Sequence, residues 1–305
     1  MSGVLVIGAA GLIGRAVLAE LERSGVVAGA VVARPSEAGR GAHVLHLSTE
    51  AVDPLAGLLE RLHPEAIVNC AGRTAGPPGE LWRANVEPVV ALLEAMRLAA
   101  PDARLLHVGS AAEYAEVRDR ATDEEAPLSE ATPYAAAKVA AFRLVSQATD
   151  AGLDAVVARV FNPIGRGLPS TSLPGRAAQL LRDASRNGEA AVELGPLDAV
   201  RDYVDLRDIA TAVGVLASKP GLVYRVYNVG SGRPVVVRDL VSMIAVRVGF
   251  SGDVLESAPA SPRSPGVKRQ VADIGRISAT GWQPAFDLGA SVDALVAGLA
   301  EEATR

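Results

Sequence analysis

Tyr134 and Lys138 stand four residues apart in Pro133-Tyr-Ala-Ala-Ala-Lys138. That spacing puts both on one face of a helix. A cation close to a phenol lowers its pKa from ~10 toward the working range. Tyr134 can then donate or accept the proton of a carbonyl/alcohol pair. Ser110 follows the apolar run Leu105–Val108. A hydroxyl there sits at the carboxyl end of a sheet, where ligands bind. Gly8, Gly11 and Gly14 form a G-x-x-G-x-x-G turn with Ala10, Leu12 and Ile13 between them. Such a turn follows a strand and opens a helix. It leaves no side chain in the way of a pyrophosphate, and the helix N-terminus holds that anion.

The residue that reads the adenine ribose lies about 20 residues past such a turn, at the end of the second strand. That region is Val32-Ala-Arg34-Pro-Ser36 and holds no carboxylate. Arg34 could grip a 2′-phosphate with its planar fork, so NADP(H) is expected rather than NAD.

The elements that position these groups follow from period. Val4–Ile7, Val26–Ala33, Val44–Leu47, Ala66–Cys70, Leu105–Val108 and Ala155–Val160 read as strands. Between them, Ile13-Val17-Leu21, Leu55–Leu62, Val86–Arg97 and Tyr134–Ala148 read as helices. The alternation predicts an α/β fold, a Rossmann-type doubly wound parallel sheet. From Asn162 the texture changes, with Gly165, Gly167, Pro169 and Pro174 breaking the pattern. The expected division is a dinucleotide-binding domain over 1–162, to which 203–231 return. A smaller substrate-binding domain covers the rest of 163–305, mainly 163–202 and 232–305. Ser251–Pro265 reads as a loop.

The chain has 305 residues, 49% of them hydrophobic, enough for a sizeable core. A net charge of −5 and 4% aromatics argue against a nucleic-acid binder. The only cysteine, Cys70, excludes a disulfide framework and a Cys-rich metal site. It reads as a small buried hydrophobe. The apolar or glycine stretch Gly25–Ala33 is about half of what a membrane helix needs. No metal site and no membrane association are expected, and the compartment expected is the cytoplasm.

These motifs resemble those of the extended short-chain dehydrogenase/reductases that act on nucleotide sugars, the NAD-dependent epimerase/dehydratase family. The resemblance runs nearly end to end. Val108-Gly-Ser-Ala-Ala-Glu-Tyr114 is similar to the family's serine segment, and Pro133–Lys138 to its Tyr/Lys segment. Arg159-Val-Phe-Asn162-Pro-Ile-Gly165 and Tyr227-Asn-Val-Gly-Ser-Gly232 match two further segments. Leu194–Asp208, the Glu113-Tyr114 pair and Gly281-Trp282 are similar to the branch that reduces GDP-4-keto-6-deoxy-D-mannose.

The resemblance implies that Ser110 and Tyr134 hold the sugar oxygen and that Lys138 also binds the nicotinamide ribose. Substrate contacts are implied for Glu113 and Asn162, for Arg201 on the nucleotide diphosphate, and for Arg263 on a phosphate or nucleotide. A homodimer through two helices per subunit is also implied. The activity expected is NADPH-dependent reduction of a nucleoside-diphosphate-4-keto-6-deoxyhexose at C4. Ala111 and Ala112 stand where the sugar 4,6-dehydratases carry an Asp-Glu pair, and alanines cannot transfer protons. A nucleotide-sugar 4-epimerase with tightly bound NAD and a non-catalytic NADP-binding regulator remain as alternatives. The nucleotide stays open among GDP, dTDP and UDP, and reduction at C3 stays open beside C4. The loop Arg73–Gly79 is atypical, and it should border the sugar pocket.

Overall fold

A computed structural model describes residues 3–39, 41–258 and 266–302. β1 (Val4–Ile7) passes through the glycine turn into α1 (Leu12–Arg23), β2 (Ala28–Val32) and β3 (His43–Val44). Then come α2 (Val52–Leu62), β4 (Ala66–Asn69), α3 (Pro78–Asn85), α4 (Glu87–Ala99), β5 (Arg104–Ser110), α5 (Pro133–Asp150) and β6 (Ala155–Val160). β7 (Asn162–Ile164) leaves this rhythm, followed by α6 (Leu173–Asn187), β8 (Ala191–Glu193), β9 (Val200–Arg201) and β10 (Tyr203–Asp205). α7 (Leu206–Ser218) and β11 (Val226–Val229) rejoin the first layer. β12 (Val235–Val236), α8 (Val237–Val248), β13 (Asp253–Leu255), β14 (Arg269–Gln270), α9 (Gly275–Ser278) and α10 (Leu288–Glu302) complete the order.

The main sheet has seven strands in the order β11-β6-β5-β4-β1-β2-β3, all pairs parallel. Strands buried on both faces read as unbroken apolar runs, and β1, β4 and β6 are buried throughout. On one face Val17 and Leu21 of α1 meet Ile209, Val213 and Leu216 of α7. On the other, Leu55 and Leu59 of α2 and Leu92 and Met96 of α4 meet Ala141 and Val145 of α5. The fold is the Rossmann-type α/β arrangement that the alternation of elements implies.

Chain order reverses at β1: β2 and β3 lie to one side, β4 to the other. That reversal opens a crevice at the carboxyl ends of β1 and β4. Ile7 is level with Asn69, and Asn69 with His107. β5 runs three residues past His107 to Ser110, paired with Val160. At ~3.3 Å per residue, Ser110 stands about 10 Å above the crevice floor.

The remainder forms three small sheets: β10 with β7, β9 between β12 and β14, and β13 with β8. A separate core lies under them, with Leu181, Leu240, Ile244, Val292 and Leu295 from α6, α8 and α10. Among the described residues no helix is long and apolar enough to cross a membrane.

Some expected bounds shift. The third strand shifts from Val44–Leu47 to His43–Val44, because its partner β2 ends at Val32, the residue in register with Val44. Ser110 is the last residue of β5 rather than a residue beyond it. Part of the expected Ser251–Pro265 loop is strand: β13 pairs in parallel with β8. Residues 259–265 lie outside the described residues.

Gly8 has φ +73°, and a Cβ there would meet Ala71 N at 2.7 Å and Ala71 Cα at 2.8 Å. Both atoms are backbone and cannot swing aside. Gly8→Ala is therefore expected to destabilise the chain by about 1–3 kcal/mol. Urea denaturation followed by circular dichroism checks this, and an unchanged midpoint contradicts the crowding.

Candidate active site

The glycine turn closes on itself through Gly11 N–H to Gly8 O (3.0 Å). A Cβ on Gly14 would lie 2.3 Å from Gly8 O, so only glycine lets α1 start this close to the strand. Gly11 caps α1 without a side-chain bond, which leaves main-chain donors of the first turn for a ligand. This side-chain-free cradle, ending in a helix N-terminus, fits a dinucleotide pyrophosphate. Arg15, one residue past the turn, donates to Ala10 O at 2.6 Å. The glycine motif ends before Arg15, so sequence reading passed over it.

A cavity of about 730 Å³ opens beside the turn, lined among others by Ala9, Ala10, Arg15, Val32, Arg34 and Glu37. Arg34 follows β2 and its Nε donates to Glu37 Oε1 at 2.8 Å. The region thus does carry a carboxylate, one residue beyond the stretch read for it. The i,i+3 spacing of Arg34 and Glu37 in a short 3-10 turn was the available signal. The arginine side chain is 74% exposed, so the pair is worth only about 0–1 kcal/mol and Arg34 is easily released.

At the end of β5 the chain turns sharply. Ser110 Oγ accepts the Ala112 N–H (3.1 Å), while Glu113 Oε1 accepts the Ser110 N–H (2.7 Å). This reciprocal pair is a capping box on the 3-10 turn 111–113. An oxygen that accepts still has its own O–H to donate. α5 begins where Thr132 Oγ1 accepts the Ala135 N–H (3.1 Å), with Pro133 in the first turn. Tyr134 is half-buried at that helix start. One turn on, Lys138 is buried and its Nζ donates to Val108 O at 2.7 Å. The α5 helix is thereby tied to β5 two residues before Ser110, bringing Ser110 and the Tyr/Lys helix to one end of the sheet. Burial lowers the Lys138 pKa, and the Glu113 charge works against that fall.

Beneath them lies His107, also buried. Asn69 Oδ1 accepts the Ala71 N–H (3.0 Å), which turns Asn69 Nδ2 toward His107 Nδ1 (3.2 Å). The ring proton is then on Nε2, which has no partner among the described residues. Burial, with the Lys138 charge, pushes the His107 pKa well down, so the ring is neutral.

Glu113 requires a correction. Sequence reading placed it on the substrate, but it is fully buried, with Oε2 accepting from Arg159 Nε at 2.7 Å. It lies under the serine turn and touches no open pocket. Arg159, singled out only as part of a motif, is its partner, with its guanidinium over the rings of Tyr114 and Phe142.

On the other side of the site, Asn162 Nδ2 donates to Asp202 O (2.8 Å). Arg201 is half-buried, its Nη atoms donating to Val200 O (3.0 Å) and Val267 O (2.8 Å). Burial lowers its pKa. Gln270, in register with Arg201, donates to Ala111 O at 2.8 Å and so joins this strand to the serine turn. Asp202 was missed altogether. Its buried carboxylate accepts from Ser231 N, Ser231 Oγ, Gly232 N and Ala272 N, pinning the 227–232 segment against β9. Arg263 lies outside the described residues.

With the geometry in place, comparison with known proteins is decisive for the family. Residues 4–230 match the model described as the NAD dependent epimerase/dehydratase family. The chain belongs to that family. A dTDP-6-deoxy-L-talose 4-dehydrogenase (NAD(P)(+)) of Kitasatospora kifunensis is 34% identical, covering 92% of this chain and 90% of its own. A GDP-6-deoxy-D-mannose reductase of Pseudomonas aeruginosa is 29% identical over 76% of this chain and 79% of its own. Among solved structures, a UDP-glucose 4-epimerase of Thermotoga maritima with UDP-glucose superposes with a TM-score of 0.85. It covers 99% of both chains at 21% identity, which establishes the shared fold.

Cys70 offers a check on the interior of the site. Burial pushes its thiol up to about 12, with the Lys138 charge pulling the other way. At pH 8 roughly one thiol in 10⁴ is then ionised, and the thiolate is the reactive form. Cys70 should resist a disulfide-exchange reagent in the folded protein and react fully in urea. Cys70 is half-buried, so rapid labelling of native protein contradicts the raised pKa.

Proposed function

We propose that the chain is a nucleotide-sugar-modifying enzyme that reduces a nucleoside-diphosphate-4-keto-6-deoxyhexose at C4, using NADPH. The observation that carries this reading is the placement of Ser110 and the Tyr134/Lys138 helix at the carboxyl end of β5, beside the glycine cradle. Ala111 and Ala112 offer no proton-transferring group next to Ser110. That supports simple carbonyl/alcohol exchange over loss of water.

The Ser110 hydroxyl would donate to the carbonyl oxygen and hold it toward Tyr134. Tyr134 would give its proton to that oxygen as negative charge develops there. Lys138, fixed by Val108 O, would keep a positive charge beside the phenol. The dinucleotide, when bound, supplies the hydride for C4. One hydride and one proton make the secondary alcohol, and the reverse path oxidises it. Asn162 would orient the sugar. Arg201 would face the diphosphate, since two main-chain carbonyls occupy only part of its five donors. The Kitasatospora relative makes dTDP-linked sugar the first substrate to test and GDP-linked sugar the second.

The test is the loss of absorbance at 340 nm with NADPH and dTDP- or GDP-4-keto-6-deoxyhexose. Tyr134→Phe is expected to cut turnover about 10²–10⁴-fold while NADPH affinity stays nearly constant. Wild-type turnover in that variant overturns the assignment. A flat trace in protein that binds NADPH moves the reading to a 4-epimerase, which recycles its cofactor, or to a regulator without turnover.

For the cofactor, a 2′-phosphate would draw Arg34 away from Glu37, leaving that carboxylate beside a like charge. Glu37 therefore weakens the preference that Arg34 creates. Removing one charge ~5 Å from a phosphate near the surface changes affinity by about tenfold. Glu37→Gln is expected to tighten NADPH by that factor and leave NADH within about twofold. Fluorescence titration of the two reduced cofactors reads this directly, and equal changes for both would count against a 2′-phosphate at Arg34.

A further inference from the structure

Glu113 has no opening toward substrate, yet its carboxylate occupies a space built for it. A Cβ on Gly109 would lie 2.8 Å from Glu113 Oε1, so the residue before Ser110 must be glycine for the carboxylate to reach under the turn. Oε1 takes the Ser110 N–H and Oε2 takes Arg159 Nε, each at 2.7 Å. The two side chains are 0% and 2% exposed. Arg159 is itself anchored by Nη1 to Glu124 O (3.3 Å) and by the rings of Tyr114 and Phe142. The chain of contacts runs from Phe142 on α5 and Arg159 on β6, through Glu113, to the main chain of Ser110.

We propose, resting on the ketoreductase reading above, that Glu113 is a positioning residue. Its carboxylate sets the Ser110 main chain and, two residues along β5 from the Val108 carbonyl that holds buried Lys138, places a negative charge near that lysine. Stability alone does not call for such a pair. A buried ion pair replaced by apolar residues of similar volume is often neutral or stabilising. The pair is instead arranged around Ser110 and Lys138.

Four titratable groups bear on Lys138. Glu113 favours its charged form, as does Cys70 in its ionised form. His107 is neutral beneath it. Tyr134 precedes it by one helical turn. With the Cys70 thiol and the His107 ring both neutral, Glu113 supplies the favourable charge. Burial already lowers the Lys138 pKa, so removal of Glu113 lets Lys138 lose its proton at still lower pH.

Two variants separate the roles. The double variant Glu113→Leu/Arg159→Met removes the pair without leaving an orphan charge. Glu113→Gln keeps a carbonyl oxygen for the Ser110 N–H and removes only the charge. The double variant is expected to lose about 10²-fold in kcat with KM within about threefold. Its thermal midpoint should stay near the wild type. Glu113→Gln is expected to lose less in kcat. In both variants the alkaline limb of the kcat profile should move to lower pH.

A readout independent of turnover is available, because the chain has only three lysines, Lys138, Lys219 and Lys268. The latter two are exposed. A ¹⁵N-lysine NMR titration therefore reports Lys138 against two internal references. Its midpoint should fall in both variants while the references stay fixed. An unchanged Lys138 titration in Glu113→Gln, or wild-type kcat and pH profile in a folded double variant, overturns the proposal. Wild-type protein that turns over no keto sugar defeats the ketoreductase reading instead, and the NMR arm still decides the role of Glu113.

Discussion

Past the ends of β1 and β4 the two main chains come so close that no side chain fits between them. Gly8 and the backbone of Ala71 set that limit. The contact follows from strand order: β1 is the point from which the chain departs in both directions across the sheet. The residues proposed for function stand on the rim of this crevice. The glycine turn is one wall, and the ends of β4 and β5 lead up the other to Ser110. α5 then crosses back with Tyr134 and Lys138, held by one bond to Val108 O. A side chain at Gly8 would separate the walls, and no later element could restore their spacing.

Above this frame the site is organised by buried charge rather than by apolar packing alone. Arg159, Glu113 and Lys138 are all shielded from water. Tyr114 carries the pattern outward, its hydroxyl donating to Asn228 Oδ1 at 2.7 Å. Asn228 in turn donates its side-chain Nδ2 to Thr122 O and its main-chain N–H to Glu124 Oε1. Such a network is costly if half-satisfied and rigid if complete. Its members come from β5, α5, β6, β11 and the loop 111–128, so it makes that loop part of the sheet's carboxyl end. The orphan Nε2 of His107 is the described exception, directly below the reactive groups.

Sequence legibility followed the distance between partners. The turn at Gly8–Gly14 and the shared helix of Tyr134 and Lys138 were readable because their local geometry depends on spacings of three or four residues. Ser110 was placed within one residue of its strand end. Glu113 was misread because its partner Arg159 is 46 residues away and nothing local announces the pair. Asp202 was invisible for the same reason, as its donors come from 29 to 70 residues downstream. Glu37 was a different kind of miss. Its i,i+3 relation to Arg34 was on view, but the carboxylate fell just outside the stretch examined for a ribose reader. In the last third, short strands such as β13 and β14 carry too few residues for any period to show.

The serine turn is clasped from an unexpected direction. Glu116 accepts the main-chain N–H groups of Lys268 and Arg269, and Gln270 donates to Ala111 O, across separations of 152 to 159 residues. The chain must therefore close very long loops before Ser110 has its final surroundings, and such non-local closures come late in folding. The close contact of Gly8 with Ala71 lies within the first 71 residues, whereas the turn after β5 is clasped only by residues 268–270. A nascent chain that stalled before residue 268 would lack every one of these clasps on the turn that follows β5.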